Sequence, residues 1–277
     1  MCSDGCMPDE RVPPAPPVGP LARTEQRILA TAGLLIVLVV LIAAVAGTSD
    51  GGPDEPAEAA SGTTATTTTA VTATTSRPPT PPPGVVADPD DLAVLVDRER
   101  RLPEGWQPAE LVEVPVPFTF EDPDPRRLMR PEPAAALAEL FAAAERDRLP
   151  LRAVSGFRSE EAQRNVHAAY VAEEGVEAAE RFSARPGHSE HQTGLAVDVT
   201  SYDGACPAEA CFADRPEAAW LVDNADRFGF VVRYPSGREA VTGYEYEPWH
   251  LRYVGPELAG ALSEQGLTLD EWYGTGG

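Results

Sequence analysis

Histidine occurs only four times in this 277-residue chain, and two of the four stand in one short stretch, Arg185-Pro-Gly-His188-Ser-Glu-His191-Gln-Thr-Gly-Leu-Ala-Val-Asp198. A third closes the later segment Glu247-Pro-Trp-His250. A His/Asp/His set suits a divalent metal, and Glu247 lies three residues ahead of the last histidine. Three protein ligands, an open coordination position and a carboxylate to carry a proton are the parts of zinc-assisted hydrolysis. One histidine near one aspartate is more often a satisfied polar pair than a ligand. The joint pattern Ser189-x-His191-x-x-Gly194-x-Ala196-x-Asp198, followed by Glu247-x-x-His250, is far more specific.

The elements that must position these residues follow from periodicity. Leu195 to Thr200 alternates as a strand: Leu195, Val197 and Val199 face the core, which leaves Ala196 and Asp198 on an exposed side. Leu151 to Ser155 reads as a short strand running into Gly156-Phe-Arg158, and Ser159 caps a helix with Tyr170 and Val171 on its apolar side. Phe230 to Tyr234 and Trp249 to Val254 complete the sheet, with Trp249 and Tyr253 turned away from His250 into the core. A helix is expected over 131–149, where Leu137, Leu140, Phe141 and Ala144 recur at helical spacing. Others are expected over 176–182, over 216–228 with Trp220 and Leu221 buried and Gly229 as the stop, and over 256–265. Leu92 to Val96 and Leu111 to Phe118 read as extended segments that prolines confine to edges. Helices and short strands mix without a βαβ rhythm, so the fold class is α+β, a small mixed or antiparallel sheet flanked by helices.

At these residues the chain resembles a known family, the VanY-like D-alanyl-D-alanine carboxypeptidases of the LAS group of zinc metallopeptidases. The resemblance covers Asp91 to Tyr253 and includes Ser155-Gly-Phe-Arg158-Ser with Gln163, and Ser183-Ala-Arg-Pro-Gly187. It implies one zinc per domain held by His191, Asp198 and His250, with Glu247 as the catalytic base. It also implies Arg158 on the substrate carbonyl or carboxylate, and Gln163 and Ser189 positioning a peptidoglycan stem peptide that ends in D-Ala-D-Ala. The chemistry is coherent. Zinc with two neutral imidazoles and one carboxylate keeps a positive charge that acidifies water. A neighbouring glutamate can pass a proton to the departing amine. A planar guanidinium can stabilise an oxyanion or pair with a terminal carboxylate.

An endopeptidase or D,D-dipeptidase on the same fold would use the same parts. A non-catalytic, zinc-containing wall-binding domain would need neither Glu247 nor Arg158. His188 as a fourth ligand would close the metal site, so it is assigned to substrate contact or solvent. His167, in mid-helix, is assigned to packing or the surface. Tyr246 borders Glu247, where it either lines the cleft or packs.

Composition excludes several classes. Lysine is absent, all 22 basic residues are arginine, and the formal net charge is -22. Ser-x-x-Lys peptidases, P-loop NTPases and Schiff-base enzymes need the missing amine, and such acidity argues against a nucleic-acid partner. Residues 28–46 form an almost unbroken run of Leu, Ile, Val and Ala. At about 1.5 Å per residue the run spans roughly 28 Å, near the hydrocarbon thickness of a bilayer, and it exceeds the ~7–15 residues of a signal-peptide core. Arg23 and Arg27 precede it, while Asp50, Asp54 and Glu55 follow. The expectation is a single-pass membrane anchor, with residues 1–27 a disordered cytoplasmic tail and the bulk outside the membrane. Residues 47–87, rich in Thr and Pro, read as a linker. Residues 88–277 then form the catalytic domain, at about 190 residues long enough for one proper core. In an oxidising compartment Cys206 and Cys211 can close a disulfide across their short loop, whereas Cys2 and Cys6 indicate nothing specific.

Overall fold

The structure is a computed structural model, and it describes residues 78–275 except residue 122. The expected tail, the apolar run at 28–46, Cys2, Cys6 and most of the linker lie outside the described residues. Among those described, no helix is long and apolar enough to cross a membrane.

The segment read as the end of the linker is tied to the domain. Strand β1 (Gly84–Val85) pairs in parallel with β2 (Arg100–Arg101). Nearby, the Thr80 hydroxyl donates to the Tyr273 carbonyl and Arg100 Nε to that of Pro81. Strand β3 (Val112–Glu113) pairs antiparallel with β4 (Leu128–Met129). The extended segment expected over 111–118 shrinks to β3, because Pro115 and Pro117 have no N–H to give a ladder. Phe118 makes only an isolated bridge to Ala153. The residues from Leu92 to Val96 form no strand either. The Leu92 and Val94 carbonyls are satisfied by the Arg252 guanidinium, at 2.9 and 2.7 Å.

Helix α1 (Pro131–Arg146) opens on its prolines and buries Leu137, Leu140, Phe141 and Ala144, as their spacing predicts. The main sheet is antiparallel throughout, in the order β5 (Leu151–Ser155), β6 (Ala196–Ser201), β8 (Glu247–Tyr253), β7 (Phe230–Tyr234). Leu195, Val197 and Val199 join Phe230, Leu251 and the apolar face of α1 in one core. The expected exposed side of this strand does not exist: every residue of β6 is buried. The turn Glu190–Thr193 folds over that side and sets Glu190 against Arg252 and His250 of β8.

Helix α2 (Glu160–Glu174) is capped by Ser159, whose hydroxyl accepts from the Ala162 N–H. It buries only Gln163; Tyr170, expected on a packed face, is 41% exposed. Helix α3 (Val176–Ala179) is a single turn rather than a helix to Phe182. Helix α4 (Pro216–Asn224) buries Trp220 and Leu221, tightens into a 3-10 turn over Ala225–Phe228 and stops at Gly229, in the left-handed region at φ 79°. Helices α5 (Glu239–Thr242), α6 (Pro256–Gln265) and α7 (Leu269–Tyr273) follow, and α7 opens on a capping box between Thr268 and Glu271. Leu262 and Trp272 centre a second, smaller apolar cluster. Cys206 and Cys211 form a disulfide.

Gly156, just past β5, sits where backbones meet. A Cβ there would lie 2.6 Å from the Leu128 carbonyl oxygen and 2.9 Å from that of Arg126. Gly156→Ala is expected to destabilise the protein by roughly 1–3 kcal/mol through overpacking, read as a lowered urea midpoint. An unchanged midpoint would show that β4 yields freely.

Candidate active site

Residues three apart on a regular strand face opposite sides of the sheet. Glu247 and His250 nevertheless share one cleft, because the pairing of β7 with β8 slips. Between Val232 and Tyr234 two steps along β7 match four along β8, from Leu251 to Glu247. The irregularity brings Glu247 Oε2 to 3.8 Å from His250 Nδ1. Trp249, expected in the core, is partly buried, packs against that core and also borders the cleft. A second shift, between Ala153 and Ser155 of β5, sets Ser155 opposite Asp198. In the regular part of β8, His250 pairs directly with Asp198.

The resulting cluster is compact and buried. His191 Nε2 lies 3.2 Å from Asp198 Oδ2, and His250 Nδ1 lies 3.0 Å from Asp198 Oδ1. One ligand atom from each of the three residues falls within 4.8 Å of the others. Zinc bonds of ~2.0–2.1 Å in tetrahedral geometry place ligand atoms about 3.3 Å apart, so this donor set fits zinc. The far ring nitrogens are engaged by other partners, so the near ones are the atoms a metal would take. His191 Nδ1 donates to the Gly156 carbonyl at 2.7 Å, and His250 Nε2 faces Glu190 Oε2 at 3.3 Å. His188 stands apart, its Nδ1 bonded to the Asp97 carbonyl at 2.7 Å.

Arg158 reaches the cluster from the turn before α2. Its Nη1 donates to Gln163 Oε1 at 2.9 Å, its Nη2 to the Ser155 hydroxyl at 3.2 Å, and its Nη2 lies 3.9 Å from Asp198 Oδ2. The Gln163 amide in turn donates to the Ala184 carbonyl at 2.6 Å, so this side chain holds Arg158 from behind. Gln163 and Ser189 are both buried and both line the cleft. The cleft has a volume of about 150 Å³, and Val166, Tyr170 and Phe182 are among the residues that line it. Tyr246 is half-buried.

Charge within the site is set by burial and partners together. Burial pushes the Glu247 carboxyl up to about 8. Burial alone would lower the His250 imidazole, but its hydrogen bonds to Asp198 and Glu190 outweigh that and raise it to about 9. Burial would raise the Asp198 carboxyl too, and the imidazoles beside it more than reverse the effect. His191, lacking a carboxylate on its far nitrogen, is lowered by burial. Glu190 is the residue the motif reading passed over. It is buried against both Arg233 and Arg252, whose charges overcome the cost of burial and hold it ionised. Its only sequence signal is its place between Ser189 and His191.

An open cleft whose floor combines these donors with a buried carboxylate and a fixed guanidinium is equipped for hydrolysis, and comparison with known proteins narrows the class. The VanY family, described as D-alanyl-D-alanine carboxypeptidase, is matched over residues 126–256. YodJ of Bacillus subtilis is 39% identical over 188 residues, 68% of this chain and 69% of YodJ. Among solved structures, the LD-carboxypeptidase LdcB superposes with a TM-score of 0.66 at 38% identity, covering 70% of this chain and 90% of LdcB. VanY from a VanB-type vancomycin resistance cassette, a D,D-pentapeptidase, was solved as a variant with Zn(II). It superposes with a TM-score of 0.54 at 33% identity, covering 65% of this chain and 97% of its own. The same enzyme with D-alanine-D-alanine gives 0.54 at 34% identity, over 65% and 96%. The chain is thus a hydrolase of the carboxypeptidase class. It belongs to the VanY family.

The raised Glu247 carboxyl has a measurable sign. Folding strengthens its hold on a proton, so metal-free wild type loses stability relative to Glu247→Gln as pH climbs from about 4.5 towards about 8. Thermal unfolding of the two proteins across that window measures the gap. A constant gap would show that the carboxyl is not raised.

Proposed function

We propose that the protein is a membrane-anchored, zinc-dependent carboxypeptidase that removes the terminal D-alanine from peptidoglycan stem peptides ending in D-Ala-D-Ala. One observation carries this reading. On the floor of one cleft the donor atoms of His191, Asp198 and His250 lie within 4.8 Å of one another, with Glu247 3.8 Å from His250 and Arg158 3.9 Å from Asp198. Zinc held by those three residues supplies a Lewis acid that polarises the scissile carbonyl and acidifies water. Glu247 takes the proton from the attacking water as its oxygen bonds to the carbonyl carbon. It then gives that proton to the departing amine nitrogen as the C–N bond breaks. Burial, more than any other cause, pushes this carboxyl up to about 8, and a cation in the adjoining donor set favours the ionised form it needs. Arg158, fixed by Gln163 and Ser155, offers a planar fork to an oxyanion or a terminal carboxylate. Ser189 and Gln163 shape the floor beneath the peptide.

Structures of VanY with Zn(II) and with D-alanine-D-alanine support the metal and the substrate. The likeness to LdcB, at a TM-score of 0.66 against 0.54 for VanY, favours a second reading. In it the terminal D-alanine removed follows an L-centre. Mass spectrometry of three substrates incubated with the zinc-loaded protein decides between them. A pentapeptide ending in D-Ala-D-Ala should lose one alanine under the first reading. A tetrapeptide ending in L-centre-D-Ala should lose one under the second, and cleavage of free D-Ala-D-Ala would mark a dipeptidase. Chelation should abolish the activity and penicillin should not. Glu247→Ala should keep its zinc and lose at least ~10²–10⁴-fold in turnover, whereas His250→Ala should lose zinc as well. No mass loss on any of the three by zinc-loaded wild type would sink the enzymatic reading.

The anchor rests on the apolar run at 28–46 and the charges around it. Protease added to intact wall-stripped cells should release the C-terminal domain. Protection until the membrane is opened would reverse the topology.

A further inference from the structure

His250 is gripped from both ring nitrogens. Nδ1 lies 3.0 Å from Asp198 Oδ1, on the side of the metal donors, and Nε2 lies 3.3 Å from Glu190 Oε2 on the side away from them. Glu190 has no exposed side-chain surface. Its other oxygen, Oε1, accepts from Arg233 Nε at 2.8 Å and from Arg252 Nη1 at 2.7 Å. With Oε1 taken by two guanidiniums, Oε2 is the oxygen turned to this edge of the ring, and the bond across it is donated by Nε2–H. Arg233 is also paired with Asp270 of α7, which touches neither histidine. Two arginines are thus matched by two carboxylates, and only one of those carboxylates turns its spare oxygen to the imidazole.

We propose that Glu190 is a positioning residue for the metal centre: it accepts the Nε2–H of His250 and thereby aims Nδ1 at the metal position beside Asp198 and His191. The proposal rests on the zinc reading above. A carboxylate behind a metal-binding imidazole fixes its tautomer and orientation, and loss of such a partner typically weakens metal binding by ~10–100-fold. The competing account is that Glu190 only balances buried arginines.

Zinc affinity, measured by chelator competition on folded protein, separates the two accounts. Glu190→Gln and Asp270→Asn each remove one negative charge from the same network, and only the first touches His250. The expected result is a zinc Kd raised by ~10–100-fold in Glu190→Gln, with Asp270→Asn unfolding at lower temperature yet binding zinc like wild type. An unchanged Kd in Glu190→Gln, or an equal loss in both variants, would overturn the proposal. Should Glu190→Gln fail to fold, ¹⁵N-histidine NMR of zinc-loaded wild type provides the test. His250 should carry its proton on Nε2 and its metal on Nδ1, and the reverse assignment would overturn the proposal. Wild type that takes up no zinc would defeat the zinc reading and this inference with it; zinc uptake with an unaffected Glu190 variant would defeat this one alone.

Discussion

Arg233 and Arg252 have no exposed side-chain surface, and much of the architecture exists to leave neither charge unmatched. A buried ion costs several kcal/mol unless partners surround it. Glu190 lies between the two, Asp270 meets Arg233 from α7, and Arg252 spends its remaining donors on the carbonyls of Leu92, Val94 and Tyr253. Four separated pieces of chain are bound together by this arrangement: the 92–94 segment, the turn before β6, the β7–β8 pair and the last helix. It explains why residues 94–96 sit buried without a strand partner, and why a five-residue helix at the C-terminus is held in place.

The site is assembled by departures from regularity. A perfect antiparallel ladder would send Glu247 and His250 to opposite faces, and a perfect β5–β6 register would not set Ser155 beside Asp198. Each shift adds residues to one strand and re-aims a side chain, as β-bulges near active sites do. The loss of ladder hydrogen bonds is local, and the sheet on either side keeps its pairing.

How much of this could be read in advance depended on which pattern carried the information. Spacing of chemically rare residues carried the cluster: four histidines, two of them in motifs with an aspartate and a glutamate, leave few other readings. Apolar pattern carried α1, β5 and β7, and the Ser159 cap marked the start of α2. Strand parity misled for Asp198, which alternation puts on an exposed side, because a covering turn does not show in alternation; nor does the slipped register that brings Glu247 beside His250. Glu190 stayed hidden because it is one of 44 acidic residues and its partners lie 43 and 62 positions away. Arg233 and Arg252 stayed hidden because an arginine on a strand normally marks solvent. Composition alone cannot distinguish a buried charge from a surface one.

The strap formed by β1 has a mechanical consequence. A pull on the chain ahead of Thr80 meets first the Thr80 and Pro81 contacts and then the short parallel pairing of Gly84–Val85 with Arg100–Arg101. The next residue, Leu102, donates its N–H at 2.8 Å to the carbonyl of Gly187, four residues before His191. Tension therefore enters the domain beside the metal-donor turn rather than at a remote surface.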